Sequence, residues 1–410
     1  MTGERIATLD IVRGVAIMGI LAMNIVAFAM PDAAYLNPSA YGTEGPADLA
    51  SWTFSFLFVD GRMRGLFSFL FGASMLLVIE RAEAGGRDPA LVHYARMAWL
   101  LVFGLIHFYL IWWGDILSLY APVGMIAFAF RRRRPRTMIL WAVGLLLVQF
   151  ALFVAIAFRF RYVAELAAAP GASRETLAQW ADMRDGVGVY TPARLHEILA
   201  LYRGPYGGIV HEMVTENLLD PIRSLVFIGW ETLAYFLLGM AAFKTGFLTG
   251  AWSNKRYFKI MLVGFGVGLP AYALLAWLQL RSGFAVPDIM AYGIAATVPF
   301  RPLMIGATAA LVIVLTRGGG PLVARIAAAG RAAFTNYLGT SLMMTTLFYG
   351  YGLGWYGHLS RIQLWIPVVL AWALMLLWSK PWLDRFHYGP FEWLWRSLAR
   401  WQLQPMRKAS

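Results

Sequence analysis

Three polar residues lie in the first apolar segment of the chain and could form part of a polar site. Asp10 and Arg13 stand three residues apart, and Asn24 follows Arg13 after eleven residues, which is almost three helical turns. On an α-helix these spacings place all three side chains along one stripe. Polar groups in hydrocarbon cost several kcal/mol unless they meet a partner or water, so we expect this stripe to face inward toward a polar site. Asp10 and Arg13 could equally anchor the helix at lipid headgroups, an explanation that does not extend to Asn24.

His107 and Asp115 are the candidate catalytic residues. His107 lies within an apolar segment, and Asp115 follows the Trp112-Trp113-Gly114 break at the end of that segment. An imidazole can deprotonate a hydroxyl or amine, or carry an acyl group as a nucleophile, which is the chemistry of acyl transfer. On one continuous helix the two residues would stand about 80° and about 12 Å apart, so a pair requires the chain to fold back at Gly114. The alternative is a core histidine bonded to a neighbouring helix.

Four further charged residues lie in or beside apolar segments. Arg62 and Arg64 begin the second segment, where they could stabilise an oxyanion, bind an anionic acceptor or anchor the helix at headgroups. Glu231 lies inside the sixth segment, where an unpaired carboxylate would become protonated or find an arginine, so it joins a polar centre or carries protons. We expect Arg301, in the eighth segment, to pair with Glu231; binding of a phosphate or carboxylate group is the alternative.

The ninth segment adds Asn336, Tyr337 and Ser341 to the candidate substrate-binding residues. These groups could contact a substrate, or they could hydrogen-bond across helices as packing alone. The five arginines between positions 131 and 136 could receive the phosphates of coenzyme A. A topology signal and attraction to anionic lipids explain these arginines without any bound coenzyme A.

We expect no metal site. His196-Glu197 and His211-Glu212 resemble the start of a zinc-protease motif, but neither is followed by the second histidine that the motif requires. The chain has no cysteine, which excludes disulfides, thiolate metal sites and a cysteine nucleophile.

The composition places these residues in a membrane. Of the 410 residues, 60% are hydrophobic and only 14% are charged, which is typical of an integral membrane protein and not of a soluble domain. The net charge of +13 resides mostly in short loops between apolar runs, so it indicates topology and not a nucleic-acid surface. No cleavable signal peptide is evident, so we expect the first segment to remain as a span.

The apolar runs predict an all-α, polytopic integral membrane protein with about ten transmembrane helices. Each run approaches the roughly 20 residues that cross about 30 Å of hydrocarbon, although the fourth is short. With the N-terminus and the C-terminus in the cytoplasm, most lysines and arginines fall on the cytoplasmic side, including Arg5, Arg81, Arg96, Arg331 and Arg396. The predicted helices are 10–30, 61–81, 94–113, 115–131, 137–159, 222–244, 257–281, 290–316, 332–350 and 362–380.

Three parts follow from this division. Residues 1–160 form an N-terminal half of five helices, residues 161–221 an extracytoplasmic loop with short surface helices, and residues 222–410 a C-terminal half of five helices with a cytoplasmic tail. The acidic, aromatic stretch 31–60 suits an interfacial or partly re-entrant element that could cap a site opening outward.

Several motifs in fixed order carry a resemblance to a known family. They are the opening LDIVRGVAIMGILAMN, residues 65–73, residues 104–107 with 114–121, residues 330–338 and residues 388–396. Through them nearly the whole chain resembles the YeiB-like family of bacterial inner-membrane proteins, whose domain of unknown function is numbered 418. The resemblance implies a multi-pass protein of the bacterial inner (plasma) membrane.

That family is in turn similar in its first helices to the transmembrane acyltransferases, which include heparan-alpha-glucosaminide N-acetyltransferase. Those enzymes take an acyl group from a cytoplasmic coenzyme A thioester and deliver it to an acceptor on the far side. Their catalytic histidine lies in the first outer loop, whereas residues 31–60 of this chain contain no histidine. Their mechanism therefore does not transfer directly.

Three functions are compatible with these residues. In an acyltransferase, an acyl-coenzyme A such as acetyl-coenzyme A would be the donor, and His107 would assist transfer to a hydroxyl or amine of an envelope glycan, lipid or small molecule. In a transporter or exporter, Glu231, Arg301 and His107 would form a polar relay; a non-catalytic membrane scaffold is the third possibility. Expected partners are membrane lipids and the acceptor, with no nucleic acid, and a homodimer stays open. The first two functions lead us to expect one hydrated chamber on which the buried polar residues converge.

Overall fold

The computed structural model describes residues 6–408, and these residues are all-helical, as the apolar runs predict. They contain no strand, only an isolated antiparallel bridge between Phe386 and Arg407. Arg5, which the topology prediction places in the cytoplasm, lies outside the described residues. The helices are α1 (Ala7–Ala29), α2 (Ala33–Leu36), α3 (Pro46–Phe58), α4 (Arg62–Ala84), α5 (Pro89–Leu110), α6 (Leu117–Ala127), α7 (Pro135–Ala168), α8 (Arg174–Arg184), α9 (Pro192–Arg203), α10 (Tyr206–Thr215), α11 (Asp220–Lys244), α12 (Asn254–Arg281), α13 (Val286–Asp288), α14 (Arg301–Thr316), α15 (Pro321–Arg331), α16 (Ala333–Phe348), α17 (Trp365–Arg385) and α18 (Pro390–Arg400).

Within residues 6–408, seven helices are long and apolar enough to cross a membrane. They are α1, the run of α3 with α4, α5, α7, α11, α12 and α17; α14 and the α6 region are shorter and apolar. Helices of this length and composition identify a membrane protein.

The eighth predicted segment is broken instead of continuous. A π-helical turn at Ile289–Ala295 follows α13, and α14 begins only at Arg301. Pro302 explains the new start, because proline has no N–H to donate and is favoured in the first turn of a helix. Thr297, between the two pieces, accepts a hydrogen bond from the Arg301 guanidinium at 2.7 Å and holds that charge at the break.

Helix α1 lies at the centre of the bundle and contacts α4, α14, α15, α16 and α17. Its crossing with α15 is close because both helices carry a glycine there. A Cβ atom on Gly330 would overlap the carbonyl oxygen of Asp10, and one on Gly14 would overlap that of Ile326. The crossing therefore brings the first turns of α1 against the junction of α15 and α16.

The end of the bundle opposite α18 is covered by the helices between α7 and α11 and by loops. Arg203 donates a hydrogen bond to the carbonyl of Tyr356 at 2.7 Å, and Asn37 donates one to the carbonyl of Val187 at 2.9 Å. The Tyr190 hydroxyl donates to the carboxylate of Asp32, and burial raises the pKa of both groups. These contacts join the covering helices to the loops that follow α1 and α16.

Candidate functional site

A cavity of about 620 Å³ opens at the end of the bundle that carries α18. We call it the α18 cavity. Its polar lining comes from five arginines, two carboxylates and two histidines, and its walls are apolar side chains of α4, α5 and α16. The charged residues and histidines are Arg13, Arg81, Arg96, Arg331, Arg396, Asp10, Glu392, His93 and His387. The excess of arginines over carboxylates gives the cavity a positive charge, which favours an anionic ligand.

The predicted stripe of α1 supplies two of these residues. Arg13 lies 3.2 Å from the Asp10 carboxylate and donates to the Ser74 hydroxyl at 2.5 Å and to the Gly330 carbonyl at 3.4 Å. The guanidinium is thus held between α1, α4 and α15. Only the first turns of α1 face the cavity, because Asn24 lies further along the helix and outside this lining.

Helix α18 closes one side of the cavity and is fixed by Glu392. The Glu392 carboxylate accepts hydrogen bonds from the backbone N–H groups of Phe334 and Thr335, at 2.7 and 3.1 Å, and from the Thr335 hydroxyl at 2.5 Å. It therefore caps the first turn of α16, where orphan N–H groups and the helix dipole favour an acceptor. Burial raises the pKa of Glu392, although these donors act in the opposite direction.

Two arginines at the edge of the cavity are held against aromatic rings of the α18 region. Arg96 lies 4.0 Å from the ring centre of Trp395, whose indole N–H also donates to the Arg96 carbonyl at 2.9 Å. Arg396 lies 4.7 Å from the ring centre of Tyr388. Burial lowers the pKa of Arg396, and the charges of Arg400 and Arg13 act in the same direction. An anion in the cavity would relieve this crowding of positive charge.

His107 and Asp115 meet beyond the deep end of the cavity. The His107 Nδ1 lies 2.9 Å from Asp115 Oδ1, and both side chains are buried. Helix α5 ends at Leu110, and the turn at Trp112-Trp113-Gly114 reverses the chain into α6, as the pair requires. Asp115 Oδ2 accepts from the backbone N–H of Ser118 at 2.6 Å, which fixes the carboxylate, and within residues 6–408 the His107 Nε2 has no hydrogen-bond partner. An imidazole fixed through Nδ1 with a free Nε2 can act as a base.

Tyr337 separates this pair from the α18 cavity. It lines the cavity, its ring lies 5.1 Å from the His107 ring, and its hydroxyl accepts a hydrogen bond from the backbone N–H of Ile116 at 3.2 Å. On its other side Tyr337 lines a space of about 10 Å³ with Asn24, Ser341 and Trp112, which we call the Asn24 pocket. That volume suits one water molecule. Asn24 and Ser341 are thus brought close to Tyr337, behind the cavity.

Glu231, Arg64 and Arg301 form a separate buried network. Glu231 accepts from Arg64 at 2.5 Å, from Arg301 at 2.9 Å and from the Tyr235 hydroxyl at 2.6 Å. The predicted pairing of Glu231 with Arg301 is confirmed, but none of the three residues lines the α18 cavity. The single chamber expected from the sequence therefore does not include these three residues, because one carboxylate and two guanidinium groups pair directly with one another.

Arg62 also lies outside the α18 cavity. Its guanidinium donates to the carbonyl of Leu57 and lies 5.8 Å from the ring centre of Phe58, at the junction of α3 and α4. The arginine run 131–136 is likewise outside the cavity: Arg131 packs on Phe128 at 3.9 Å and Lys244 donates to the Arg131 carbonyl at 2.7 Å. Within residues 6–408 no cluster of three or more His, Cys, Asp or Glu side chains could hold a metal ion.

Comparison with known proteins supports one family. Residues 242–402 match the family model described as "Protein of unknown function (DUF418)". The chain is 33% identical to "Uncharacterized protein YeiB" of Escherichia coli (strain K12), over 97% of this chain and 96% of that protein. It is also 33% identical to "Uncharacterized protein YxaH" of Bacillus subtilis (strain 168), over 100% and 97%. The chain belongs to the YeiB-like DUF418 family. No solved structure matches it.

The DUF418 match covers α15, α16 and α18 and therefore includes Arg331, Tyr337, Glu392 and Arg396 of the α18 cavity. Asn336 lies in the same region but serves packing: its amide donates to the Ala329 carbonyl at 3.0 Å and accepts from the Trp378 indole at 2.9 Å. These bonds join α15, α16 and α17, and Asn336 is not part of the cavity lining.

Sequence reasoning did not select the cavity's other charged residues as a site. The sequence analysis assigned a topological role to four of them, Arg81, Arg96, Arg331 and Arg396. It treated Glu392 as part of a family motif. A signal was nevertheless present, since the topology prediction places all four arginines at the same end of the bundle. Which of those many basic residues share a cavity depends on how the helix ends pack.

Proposed function

We propose that this protein is an acyltransferase that takes an acyl group from a cytoplasmic acyl-coenzyme A and transfers it to a hydroxyl or amine of an envelope glycan, lipid or small molecule. The observation that supports this most is the α18 cavity, where five arginines surround an apolar space that runs to Tyr337. Coenzyme A carries several phosphates on a long, weakly polar arm that ends in the thioester. A basic entrance with apolar walls is complementary to that arrangement.

The proposal places α18 and both termini in the cytoplasm of a bacterium, with about ten crossings of the inner membrane. The positive-inside rule supports this orientation, since Arg81, Arg96, Arg331 and Arg396 lie at one end. The acyl donor is made in the cytoplasm, so a donor cavity is expected to open there.

The dimensions of α5 suit a donor bound in this way. Arg96, at the entrance, and His107 lie eleven residues apart on α5, which is about 16 Å along the helix. Phosphates held by Arg96, Arg331 and Arg396 would leave the arm to extend along Met97 and Leu100 toward Tyr337. The Tyr337 side chain must rotate for the thioester to meet the His107–Asp115 pair.

In this mechanism His107 is the base. Its Nε2 takes the proton of the acceptor hydroxyl or amine while the acceptor atom forms a bond to the thioester carbon. The carbon–sulfur bond then breaks, and the coenzyme A thiolate leaves and takes up the proton from His107. Asp115 Oδ1, which lies 2.9 Å from Nδ1, accepts the hydrogen bond from the proton on that nitrogen and stabilises the imidazolium that forms.

Calorimetric binding of coenzyme A to the full chain in lipid nanodiscs tests the proposal. We expect saturable binding that Arg331→Ala weakens at least tenfold, since one charged hydrogen-bonded contact contributes roughly 1.5–3 kcal/mol. Arg134→Ala is the matched control, because that arginine belongs to the exposed run outside the cavity and its loss should leave the affinity unchanged. Absence of binding, or equal weakening by both substitutions, would remove the support for a donor site.

Turnover is the second measurement. Release of free thiol from acetyl-coenzyme A should fall at least a hundredfold in His107→Gln, while coenzyme A affinity stays within twofold of the parent. Equal thiol release by parent and variant would show that His107 is not the base.

A transporter is the second candidate, and the broken helix at 289–301 favours it. Interrupted helices at membrane depth commonly form substrate or ion sites in transporters. Here α14 begins after the interruption at Arg301, which forms an ion pair with Glu231. This function predicts solute flux that depends on the proton gradient and stops in Glu231→Gln. Flux without any covalent change of the solute would favour it over acyl transfer.

A further inference from the structure

A further space, lined mainly by aromatic side chains, lies at the end of the bundle opposite α18. Seven tyrosine and tryptophan side chains line it, among them Trp112, Trp113, Tyr349 and Tyr351, and no charged side chain between residues 6 and 408 is part of the lining. We call it the aromatic pocket. Tyr206 and Tyr351 are 42% and 40% exposed and form its rim, whereas Trp112 and Tyr349 form a buried floor.

The floor carries two polar atoms that the protein leaves without a partner. Neither the Trp112 indole N–H nor the Tyr349 hydroxyl makes a hydrogen bond within residues 6–408, although the two side chains are only 2% and 1% exposed. Leaving a buried donor unsatisfied costs about 1–3 kcal/mol. Two such groups in one pocket point to a ligand that supplies hydroxyl partners.

The aromatic pocket lies close to the proposed catalytic residue His107, because the two share the neighbouring side chain of Trp112. Trp112 lines both the aromatic pocket and the Asn24 pocket, and Tyr337 lines both the Asn24 pocket and the α18 cavity. The His107 ring lies 6.3 Å from the Trp112 ring and 5.1 Å from the Tyr337 ring. Trp112 and Tyr337 thus stand between the three spaces, and both rings lie close to the ring of His107.

We infer that the aromatic pocket is the entry site for the acyl acceptor, and that the acceptor is a neutral sugar. The inference rests on the proposed acyltransferase function. Aromatic faces pack against the C–H faces of a sugar ring, and an indole N–H and a phenol O–H bond its hydroxyls. A neutral lining does not favour an anionic acceptor, and the guanidinium groups of Arg62 and Arg64 already bond Leu57 and Glu231.

The pocket is closed in this structure, with a volume of about 10 Å³ that suits a single water molecule. Trp112 must therefore move to admit a sugar ring toward His107. Trp112 is stacked on Phe28 with ring centres 3.8 Å apart, so it keeps the Asn24 pocket closed until the acceptor displaces it. A sugar hydroxyl that passes this side chain reaches the Nε2 of His107 and there undergoes the transfer described above.

The test measures sugar binding to the full chain in lipid nanodiscs. One arm titrates free maltose and follows tryptophan fluorescence; a second arm uses nanodiscs that contain a neutral monoglucosyl diacylglycerol. We expect saturable binding in at least one arm, weakened about tenfold by Tyr349→Phe, which removes only the hydroxyl. Tyr41→Phe is the control: its hydroxyl donates to the Gly357 carbonyl at 2.7 Å at the same end of the bundle but outside the pocket, so affinity should not change.

Each outcome decides a separate point. Binding of free maltose supports a soluble acceptor, and binding in the glycolipid arm alone supports a lipid-borne one in the same pocket. No binding in either arm, or equal affinity in Tyr349→Phe and the parent, overturns the inference; Trp112→Phe gives an independent check if Tyr349→Phe melts early. Coenzyme A binding without sugar binding overturns this inference alone, whereas sugar binding without coenzyme A binding removes the acyltransferase proposal and keeps the sugar site.

Discussion

Replacing Glu231 with glutamine is expected to destabilise the protein by about 3–5 kcal/mol, the usual cost of removing one partner of a buried ion pair. Glu231 is fully buried and accepts from Arg64, Arg301 and Tyr235 at 2.5, 2.9 and 2.6 Å. Glutamine keeps the shape of the side chain but leaves two guanidinium groups without a negative partner. It also turns an NH₂ group toward one of them, so that a donor faces a donor.

Thermal unfolding of purified protein in nanodiscs measures this loss. Asp384→Asn is the control, because the Lys380–Asp384 pair, at 2.7 Å, is exposed and such pairs contribute about 0–1 kcal/mol. The double variant of Glu231→Gln with Arg64→Met should lose less than the sum of the single variants, since the second change removes one of the unpaired charges. If Glu231→Gln unfolds at the same temperature as Asp384→Asn, the network is hydrated and its charges face a common chamber after all.

Three further predictions follow from the site and its supports. Gly330→Ala should separate α1 from α15 and lower both stability and coenzyme A affinity, whereas Gly339→Ala, which meets no atom within 4 Å, should change neither; melting and calorimetry compare them. Glu392→Ala should release α18, seen as faster hydrogen exchange in residues 390–400, whereas Glu392→Gln should be tolerated because the amide oxygen can still accept from the backbone N–H groups of Phe334 and Thr335; equal exchange in both would contradict the capping role. Asp115→Asn should lower thiol release by about 10²–10⁴-fold at unchanged coenzyme A affinity, since the imidazole loses its orienting partner; unchanged turnover would exclude the pair as catalytic.

The helices could be predicted because hydrocarbon imposes a length and an apolar composition on each span. Nine of the ten predicted segments coincide with a helix of the structure, whereas the segment 290–316 is broken, because Pro302 starts a new helix and Arg301 is held at Thr297 and Glu231. The short helices α15 and α18 were not predicted, because each is too short and too polar to be recognised as a span.

The candidate site was predicted in part. The His107–Asp115 contact follows from a turn of a few residues, which is a local event, so the Gly114 break was a sufficient signal. The α18 cavity is assembled from side chains of α1, α4, α5, α15 and α18, and its closure depends on Glu392 binding the first turn of α16. No spacing along the chain contains that information.

The sequence by itself determined that this is an all-helical membrane protein of the YeiB-like DUF418 family, with a histidine and an aspartate on either side of a turn. Apart from the Glu231–Arg301 pair, which the sequence predicted, only the tertiary structure decided which charges face a cavity and which pair with one another. Asp10 and Arg13 face the α18 cavity, whereas Glu231 pairs with Arg64 and Arg301. The physical reason is that a buried charge can be stabilised either by water and a ligand or by a neighbouring opposite charge, and the packing of helices distant in sequence selects between them.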